Sequence, residues 1–305
     1  MGSLFSSPGF DPKDIPNLAG KRIVVTGGNS GIGYHTVKHL VHHGATVWMA
    51  CRNARKAEDA KRRLDEYFAT LGLRLGHDGV GEVKLLACDL STPAGAKAAA
   101  AELMSKENRL DILSMKWGSF VFTLTLLPLL SKTSLEQNSD VRIVNLSSET
   151  HRLFVPSNLQ FKSIEDFNVK YGDSAMNDLT RYATSKLATV LFTAELQRVL
   201  DQQNIPILTT CLHPGVVVTG MRTAFFAAIW GVIATLFWMS ADEGSFTSLF
   251  AATSPEIRSH PGPFRGRYMV PYGKPADTTR LGEDKQLARD LWVLSERLAN
   301  QTSKP

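Results

Sequence analysis

At 305 residues, with a hydrophobic share of 43% and a charged share of 21%, the chain has the size and composition of a soluble globular protein with one large α/β domain or two small ones. The net charge of +5 is mildly basic, but Lys and Arg are scattered, and acids interrupt the one stretch rich in them, residues 52–63. A solvated helix face is therefore favoured over a nucleic-acid surface, and we expect no nucleic-acid partner.

Apolar strands and amphipathic helices alternate along the chain. In chain order the pattern predicts a strand at 21–26, a helix from about 31, a strand at 45–50, a helix at 54–71, a strand at 83–88, a helix at 93–106, a strand at 110–113, a helix from 116, a strand at 141–147, a helix at 178–200, a strand at 205–213 and a closing helix with Leu287, Leu291, Leu294 and Leu298 on one stripe. Strands separated by such helices indicate βαβ units and, by the right-handed crossover rule, an α/β fold with a doubly wound parallel sheet. Because the sequence has no repeat, low-complexity tract or linker, we expect a single domain over residues 1–305.

The glycine cluster "TGGNSGIG" lies between the first strand and its helix. Gly27 allows a tight turn, Gly31 lets the backbone approach a pyrophosphate, and Gly33 lets the helix pack close to the strand. The helix N-terminus then offers free N–H groups and a partial positive charge to phosphates. A purely structural turn is the weaker alternative in this position. We therefore expect a Rossmann-like fold with its nucleotide-binding half at about 20–113.

The end of the second strand indicates which nucleotide binds. A fold that prefers NAD places an acid there for the ribose 2′-hydroxyl, whereas this chain reads "ACRN", with Arg52 and no acid. A guanidinium suits a 2′-phosphate by charge and geometry, although an exposed charge at a helix start would look the same. The predicted cofactor is NADP(H).

The segment "YATSK" is the candidate for acid–base chemistry. Tyr182 and Lys186 are four residues apart on a predicted helix and so share a face. A lysine ammonium near a phenol lowers its pKa, which would allow proton exchange near neutral pH. Taken alone, such a pair is more often an exposed surface pair. Ser148, in "NLSSE", lies at the C-terminal end of a strand, where doubly wound sheets carry their sites.

Together these motifs resemble the short-chain dehydrogenase/reductase family. The matching segments "TGGNSGIG", "CDL", "NLSS", "YATSK" and "HPGVVVT" occur in order and cover roughly residues 20–220. Four further segments, "ACRN", "YATSKLATVLFTAEL", "LHPG" and "LWVLSERL", are similar to the retinol-dehydrogenase-like branch and its fungal relatives.

The resemblance implies a carbonyl–alcohol oxidoreductase. By this resemblance Tyr182 would be the general acid/base, and Ser148 would hydrogen-bond the substrate oxygen. Lys186 would adjust the pKa of Tyr182 and hold the nicotinamide ribose. Hydride would pass from C4 of NADPH to a carbonyl carbon while Tyr182 protonates the developing alkoxide. The remaining cofactor contacts implied are Ile32 at the cleft, Asp89 at the adenine, and Val217 and Thr219 at the nicotinamide end.

Residues 224–239 form an apolar run that is shorter than the roughly 20 residues of a membrane-spanning helix. In the family, the segment after "HPG" is a mobile lid over the substrate. Three interpretations stay open: a buried lid helix, a lid that also touches a membrane surface, and plain core. An apolar lid predicts a small apolar carbonyl or alcohol as substrate. Phe154 and Phe161 fit either the substrate pocket or ordinary packing.

Other polar side chains predict no metal. His35, His39, His42 and His43 form a helical row without acids or cysteines in register, which predicts an exposed histidine face. The three distant cysteines, Cys51, Cys88 and Cys211, predict buried reduced thiols rather than disulfides or a zinc site.

Several expectations about location follow. No secretory signal peptide is expected, so the predicted location is cytoplasmic, with peripheral membrane contact and a homo-oligomer left open. The start "MGSLFS" also matches the loose pattern for N-myristoylation at Gly2, a match that is common by chance.

One stretch, "LDILSMKWGSF", departs from the family pattern. Family members follow this strand with an Asn-Asn-Ala-Gly turn, a loop and a helix carrying a further catalytic asparagine. Here the helix starts directly after Leu113, Ser114 and Met115, so that about two dozen residues lack a counterpart, and the asparagine would align near Met115. Either the chain is an active reductase, as the intact "YATSK" and "NLSS" favour, or it is a non-catalytic nucleotide-binding relative; a gene-prediction error would also produce the gap.

Overall fold

One sheet of eight strands organises the protein. In this computed structural model, which describes residues 9–115, 120–167, 169, 175–215 and 239–301, the strands are β1 (Arg22–Thr26), β2 (Thr46–Cys51), β3 (Val83–Ala87), β4 (Ile112–Met115), β5 (Val141–Leu146), β6 (Ile207–Leu212), β7 (Tyr268–Val270) and β8 (Lys274–Ala276). Their order is β3-β2-β1-β4-β5-β6-β7-β8, and only β8 runs antiparallel to its neighbour. The predicted α/β fold with a doubly wound, mostly parallel sheet is confirmed.

Helices cover both faces of this sheet. Within the described ranges they are α1 (Gly31–His42), α2 (Ala54–Thr70), α3 (Pro93–Lys106), α4 (Phe120–Ser134), α5 (Ile164–Phe167), α6 (Ala175–Gln202), α7 (Phe246–Thr253), α8 (Pro255–Ser259) and α9 (Lys285–Gln301). Alternate residues of β1 point to opposite faces: Ile23 and Val25 pack with α1, α2 and α7, whereas Val24 packs with α3, α4, α6 and α9. The predicted stripe of α9 is confirmed, with Leu287, Leu291 and Leu294 buried. The three cysteines are free and buried, as predicted.

The last quarter of the chain contains elements that the pattern did not predict. The strands β7 and β8 have three residues each, too few for an alternating pattern to show, and β8 includes a proline at the sheet edge. The helices α7 and α8 have eight and five residues and are joined by Ser254 alone. Short elements of this kind depend on packing against the sheet rather than on their own propensity.

Strand β4, which precedes the unusual junction with α4, keeps its register in the sheet. Strand β4 extends to Met115, two residues beyond the predicted end at Leu113, and pairs with β1 and β5 along its length. Ser114 and Met115 are 3% and 0% exposed, so they belong to the buried strand rather than to a loop. Residues 116–119 lie outside the described residues, and α4 begins at Phe120.

A buried carboxylate at the start of β4 ties together several chain segments. Asp111 accepts hydrogen bonds from the Arg109 Nη2 at 2.6 Å, the Lys21 Nζ at 3.1 Å and the Arg22 backbone N–H at 2.9 Å. Burial by itself raises the pKa of Asp111, but these hydrogen bonds outweigh it, so that the pKa lies below its ordinary value.

Replacing Asp111 with Asn is therefore expected to lower the free energy of unfolding by about 3 kcal/mol at pH 7, because two cations and a backbone N–H lose their charged acceptor. A carboxyl with a lowered pKa stabilises the fold above its unfolded-state pKa of about 3.9 and loses that effect as the pH falls through the folded value. The difference between the two proteins should thus be constant from neutrality to about pH 5 and shrink below about pH 4.

Urea unfolding at several pH values measures this difference. Asp65→Asn, which removes an exposed partner of Lys61, is the matched control and should change the free energy of unfolding by less than about 1 kcal/mol. Equal effects of the two substitutions would contradict a special role for Asp111.

Candidate active site

The glycine loop between β1 and α1 has the geometry of a phosphate-binding turn. Gly27 and Gly31 have φ values of 64° and 53°, in the region that favours glycine, and the Gly27 N–H donates to the Ala50 carbonyl at 2.8 Å. A Cβ on Gly33 would overlap the Gly27 carbonyl oxygen, so only glycine lets α1 pack this closely. The first amides of α1 have no intrahelical acceptor, and the Ser30 side chain does not cap them. They are available to an anion.

Charged side chains surround this loop at the carboxyl ends of β2 and β3. Arg52 is exposed directly after β2, and Asp89 follows β3. Hydrogen bonds from the Ser91 hydroxyl at 2.7 Å and the Ser91 backbone N–H at 3.0 Å lower the pKa of Asp89, and the charge of Arg52 lowers it further. The structure thus places Arg52 and Asp89 near each other, at the edge where the sequence predicts the adenosine half of a dinucleotide.

A second guanidinium, which the sequence pattern does not single out, lies at the rim of the loop. Arg63 of α2 donates from Nη2 to the backbone carbonyl of Asn29 at 3.1 Å, and its guanidinium carbon lies 4.5 Å from the centre of the Tyr34 ring. The sequence assigns the whole stretch 52–63 to a solvated helix face. Only the fold shows that this arginine reaches back 34 residues to the glycine loop.

The three predicted catalytic side chains are brought together between β5 and α6. Ser148 follows β5 by two residues, and a hydrogen bond joins its hydroxyl to that of Tyr182. Lys186 is 4% exposed, donates from Nζ to the Leu146 carbonyl at 2.9 Å, and places Nζ 5.6 Å from the centre of the Tyr182 ring. Ser147 adds a further link, because its hydroxyl donates to the Lys186 carbonyl at 2.7 Å.

The pKa of Tyr182 differs from the expectation. Burial raises it above the ordinary value of 10.0, and the hydrogen bond from Ser148, which lowers it, is the smaller effect. Lys186 was expected to lower this pKa, but its ammonium group is directed to the Leu146 carbonyl instead. In this structure Tyr182 is therefore a neutral phenol at pH 7, the protonation state of a proton donor.

The segment after β6 leaves the described part of the chain at Gly215. That residue has a φ of 98°, and a Cβ on it would overlap the Met239 sulfur, so the two ends of the intervening segment are neighbours. Val217, Thr219 and nearly all of the apolar run at 224–239 lie outside the described residues. None of the described helices is long and apolar enough to cross a membrane.

The predicted exposed histidine face is wrong for three of its four members, because of these four only His42 is exposed. His35 Nδ1 and His39 Nε2 lie 2.6 and 3.0 Å from the same Oδ1 of Asp242, and Lys38 Nζ reaches that oxygen at 2.6 Å. Hydrogen bonds from His35, His39 and Lys38 hold the pKa of Asp242 well below its ordinary value. The acid comes from about 200 residues away, so the sequence pattern could not show it. Among the described residues, no group of three His, Cys, Asp or Glu is placed to hold a metal ion.

The two phenylalanines with open roles differ in burial. Phe161 is 1% exposed, and its ring centroid lies 5.3 Å from that of Phe167. Phe161 and Phe167 both line a groove of about 290 Å³ between α4, α6 and α9. Phe154 is only partly buried.

Comparison with known proteins establishes the class. The short chain dehydrogenase family model matches residues 21–230, which include the glycine loop, Ser148, Tyr182 and Lys186. The chain belongs to the short-chain dehydrogenase/reductase family. A solved structure of an uncharacterised protein from Mycobacterium paratuberculosis has a TM-score of 0.68 and 27% identity, with 96% of this chain and 98% of that one covered.

Within the family, the chain is similar to fungal enzymes and to retinol dehydrogenases. A short-chain dehydrogenase/reductase of Armillaria gallica is 37% identical, with 99% of both chains covered. Retinol dehydrogenase 14 of Homo sapiens is 30% identical, with 92% of this chain and 86% of that protein covered. The alignment with the Armillaria protein spans 329 positions against 305 residues here, so at least 24 positions have no counterpart in this sequence.

Proposed function

We propose that the chain is an NADPH-dependent oxidoreductase that interconverts a carbonyl and an alcohol on a small apolar substrate, with Tyr182 as general acid/base. The observation that carries this proposal is the hydrogen-bonded pair of Ser148 and Tyr182, with the buried Lys186 beside it, at the carboxyl end of the sheet. Acid–base chemistry requires a proton donor held in one direction, and the hydrogen bond to Ser148 supplies that orientation for Tyr182. The family membership supports the reaction class.

The residues around the glycine loop fit NADP(H). The first-turn amides of α1 would hold the pyrophosphate, and Gly33 lets the loop and helix pack closely around it. Arg52 would pair with the 2′-phosphate, and Arg63 adds positive charge nearby. A solved structure of RhlG from Pseudomonas aeruginosa, which has a TM-score of 0.60 with this chain, contains NADP.

When bound, NADPH supplies the hydride that reduces the carbonyl carbon. The side chains of the protein would hold and protonate the substrate oxygen. Ser148 would donate a hydrogen bond to this oxygen, and Tyr182, neutral at pH 7, would transfer its proton to the developing alkoxide. Lys186 would hold the nicotinamide ribose. The apolar composition of 224–239 supports an apolar substrate.

A spectrophotometric assay of the purified chain tests the proposal. We expect oxidation of NADPH, faster than of NADH, with a panel of apolar aldehydes and ketones. Binding of NADPH without oxidation by any member of the panel would overturn the enzyme proposal. That result would favour a nucleotide-binding relative without catalytic activity, for which the gap that the family resemblance implies after β4 would be the specific argument.

Cofactor choice is tested by charge reversal at Arg52. Arg52→Glu should weaken NADPH binding by about 10- to 100-fold, because a charge-assisted contact to the 2′-phosphate contributes about 1.5–3 kcal/mol. NADH, which lacks that phosphate, should bind as tightly as before or more tightly. Fluorescence titration with both nucleotides measures the change.

The matched control for Arg52→Glu is Arg62→Glu on the outer face of α2, where Arg62 pairs with Glu66 at 2.9 Å. It reverses the same charge at a position on the outer face of α2. It should leave the dissociation constants of NADPH and NADH nearly unchanged. If both substitutions weaken NADPH equally, the effect is one of net charge, and Arg52 does not read the 2′-phosphate.

A further inference from the structure

The turn that follows Ser148 is attached to the outer strands of the sheet through a buried histidine. His151, which is 1% exposed, lies in a 3-10 turn at Glu149–Arg152. Its Nδ1 lies 2.6 Å from the Ser148 carbonyl oxygen, and its Nε2 lies 2.9 Å from the Thr278 hydroxyl, two residues after β8. The backbone N–H of His151 donates to the same carbonyl at 3.2 Å. His151 thus supplies two hydrogen-bond donors, its ring and its backbone N–H, to the Ser148 carbonyl oxygen.

The chemistry of these partners defines the tautomer of the ring. A carbonyl oxygen can only accept, so His151 must carry its proton on Nδ1, and Nε2 then accepts from the Thr278 hydroxyl. Burial lowers the pKa of His151, and Arg152 lowers it further, while the bond to Ser148 and the charge of Glu149 oppose this. His213 and Tyr268 complete the surroundings, and His213 itself has a pKa lowered by burial to about 4. His151 is accordingly neutral at pH 7.

A second link supports the same turn. The Tyr268 hydroxyl donates to Glu149 Oε1 at 2.7 Å, and Glu149 Oε2 pairs with Arg152 Nε at 2.9 Å. Arg152 also donates from Nη2 to the Asp277 carbonyl. The His151 ring lies edge-on to Tyr268, with 4.9 Å between centroids. Strand β7 and the segment after β8 therefore both hold the turn.

We propose that His151 is a positioning residue: by fixing the Ser148 carbonyl to Thr278, it directs the Ser148 hydroxyl at Tyr182. The edge strands β7 and β8 would then contribute to the site without contacting the substrate. As far as turnover is concerned, this inference rests on the proposed reductase function. The orientation of Ser148 is a property of the fold and is measurable without turnover.

Two substitutions separate positioning from simple packing. The amide nitrogen of His151→Asn is as far along the side chain as Nδ1 and keeps a donor for the Ser148 carbonyl, whereas that of His151→Gln corresponds to Nε2 and keeps only the link to Thr278. Gln is closer to histidine in volume, so a packing role predicts that Gln is the better substitute. A positioning role predicts the reverse order.

The kinetic expectation follows from this order. His151→Gln should lower kcat about tenfold or more with the KM for NADPH unchanged, because a small misplacement of a catalytic group is costly. His151→Asn, which keeps the donor to the Ser148 carbonyl and gives up only the link to Thr278, should lose clearly less. Loss of the same size in both variants, or a smaller loss in Gln, would overturn the proposal.

A second readout does not depend on activity. With ¹³C-labelled tyrosine, the Cζ resonance of Tyr182 at pH 7 reports whether Ser148 still donates to its hydroxyl, and Tyr182→Phe assigns the signal. In His151→Gln the resonance should move toward its position in Ser148→Ala, and in His151→Asn it should move clearly less. If it stays unchanged in His151→Gln, the positioning role is refuted. If the wild-type chain oxidises no NADPH, the proposed function fails, and this resonance still decides the role of His151.

Thr278 provides the matched pair on the other side of the ring. Thr278→Ser keeps the hydroxyl that donates to Nε2, and Thr278→Val replaces it with a methyl group of similar size. We expect the Tyr182 resonance to change in the Val variant and not in the Ser variant. Equal behaviour of the two would show that the Nε2 link does not orient Ser148.

Discussion

Tyr182→Phe is expected to lower NADPH-dependent carbonyl reduction by about 10²–10⁴-fold, because it removes the proton that the substrate oxygen would receive. The substitution deletes one hydroxyl and keeps the ring, so the packing of α6 and the position of Lys186 should be unchanged. The melting temperature and the NADPH dissociation constant should therefore stay near the wild-type values. Steady-state kinetics with the best carbonyl of the panel measures the loss.

Tyr67→Phe is the matched control, because it removes a phenol that is 37% exposed on α2, far along the chain from the proposed site. It should leave the rate unchanged. A fully active Tyr182→Phe variant would show that another group donates the proton.

The pH profile of the wild type offers an independent check of the same residue. Reduction needs the protonated phenol, and burial raises the pKa of Tyr182 above 10.0. The rate limited by this proton should thus be flat around neutrality and fall only as the pH rises above about 10. A fall that begins between about pH 6 and pH 8 would point to a different acid, because burial shifts the pKa of Tyr182 upward, away from that range.

The second large effect concerns the junction after β4. Insertion of the corresponding segment of the Armillaria gallica protein between Met115 and Phe120 is expected to raise kcat by about 10²-fold or more, because it restores a polar group for the proton relay and a wall beside the adenine ribose. We propose that the positions of the Armillaria protein that have no counterpart in this chain lie in this segment. Assay of both chains under the same conditions measures the gain.

The surroundings of Met115 explain why the gap should matter for catalysis. Met115 pairs in register with Asn145, and it is fully buried. The Asn145 amide donates to the Thr193 hydroxyl at 3.0 Å, but its Oδ1 has no hydrogen-bond partner among the described residues. The Met115 sulfur accepts the Thr123 hydroxyl at 3.2 Å and offers no N–H donor. A thioether here cannot replace the asparagine that the family resemblance places at this position.

Met115→Asn without the inserted segment is the control for that experiment. It places an amide beside the Asn145 Oδ1 and the Thr123 hydroxyl but supplies neither the loop nor the wall beside the adenine ribose, so we expect no gain in rate. Equal activity of the original and the restored chain would show that the junction is compatible with turnover. Low activity of both would place the defect elsewhere.

Much of this protein could be predicted from local patterns. The strands β1 to β6 and their helices have periodic apolar residues over five or more positions in most cases, and such patterns depend only on neighbours in the chain. The glycine loop and the spacing of Tyr182 and Lys186 are local in the same sense. These local patterns therefore indicate a nucleotide-binding fold and an acid–base pair without any information on tertiary contacts.

Other features depended on contacts between distant segments. Asp242 meets His35 and His39 across about 200 residues, and Arg63 reaches the glycine loop from α2. The short strand β7 forms by pairing with β6, and β8 forms by pairing with β7. The direction of the Tyr182 pKa shift was also not predictable, because burial is a property of the packed structure.

The sequence by itself thus determined the class of fold, the family and the identity of the residues proposed to act, since these rest on residue types at fixed spacings. Only the tertiary structure decided how those residues are held: Ser148 through His151 and Thr278, Lys186 through the Leu146 carbonyl, and Met115 inside a strand rather than in a loop. The physical reason is that hydrogen bonds and burial act through space, whereas a sequence pattern records only order along the chain.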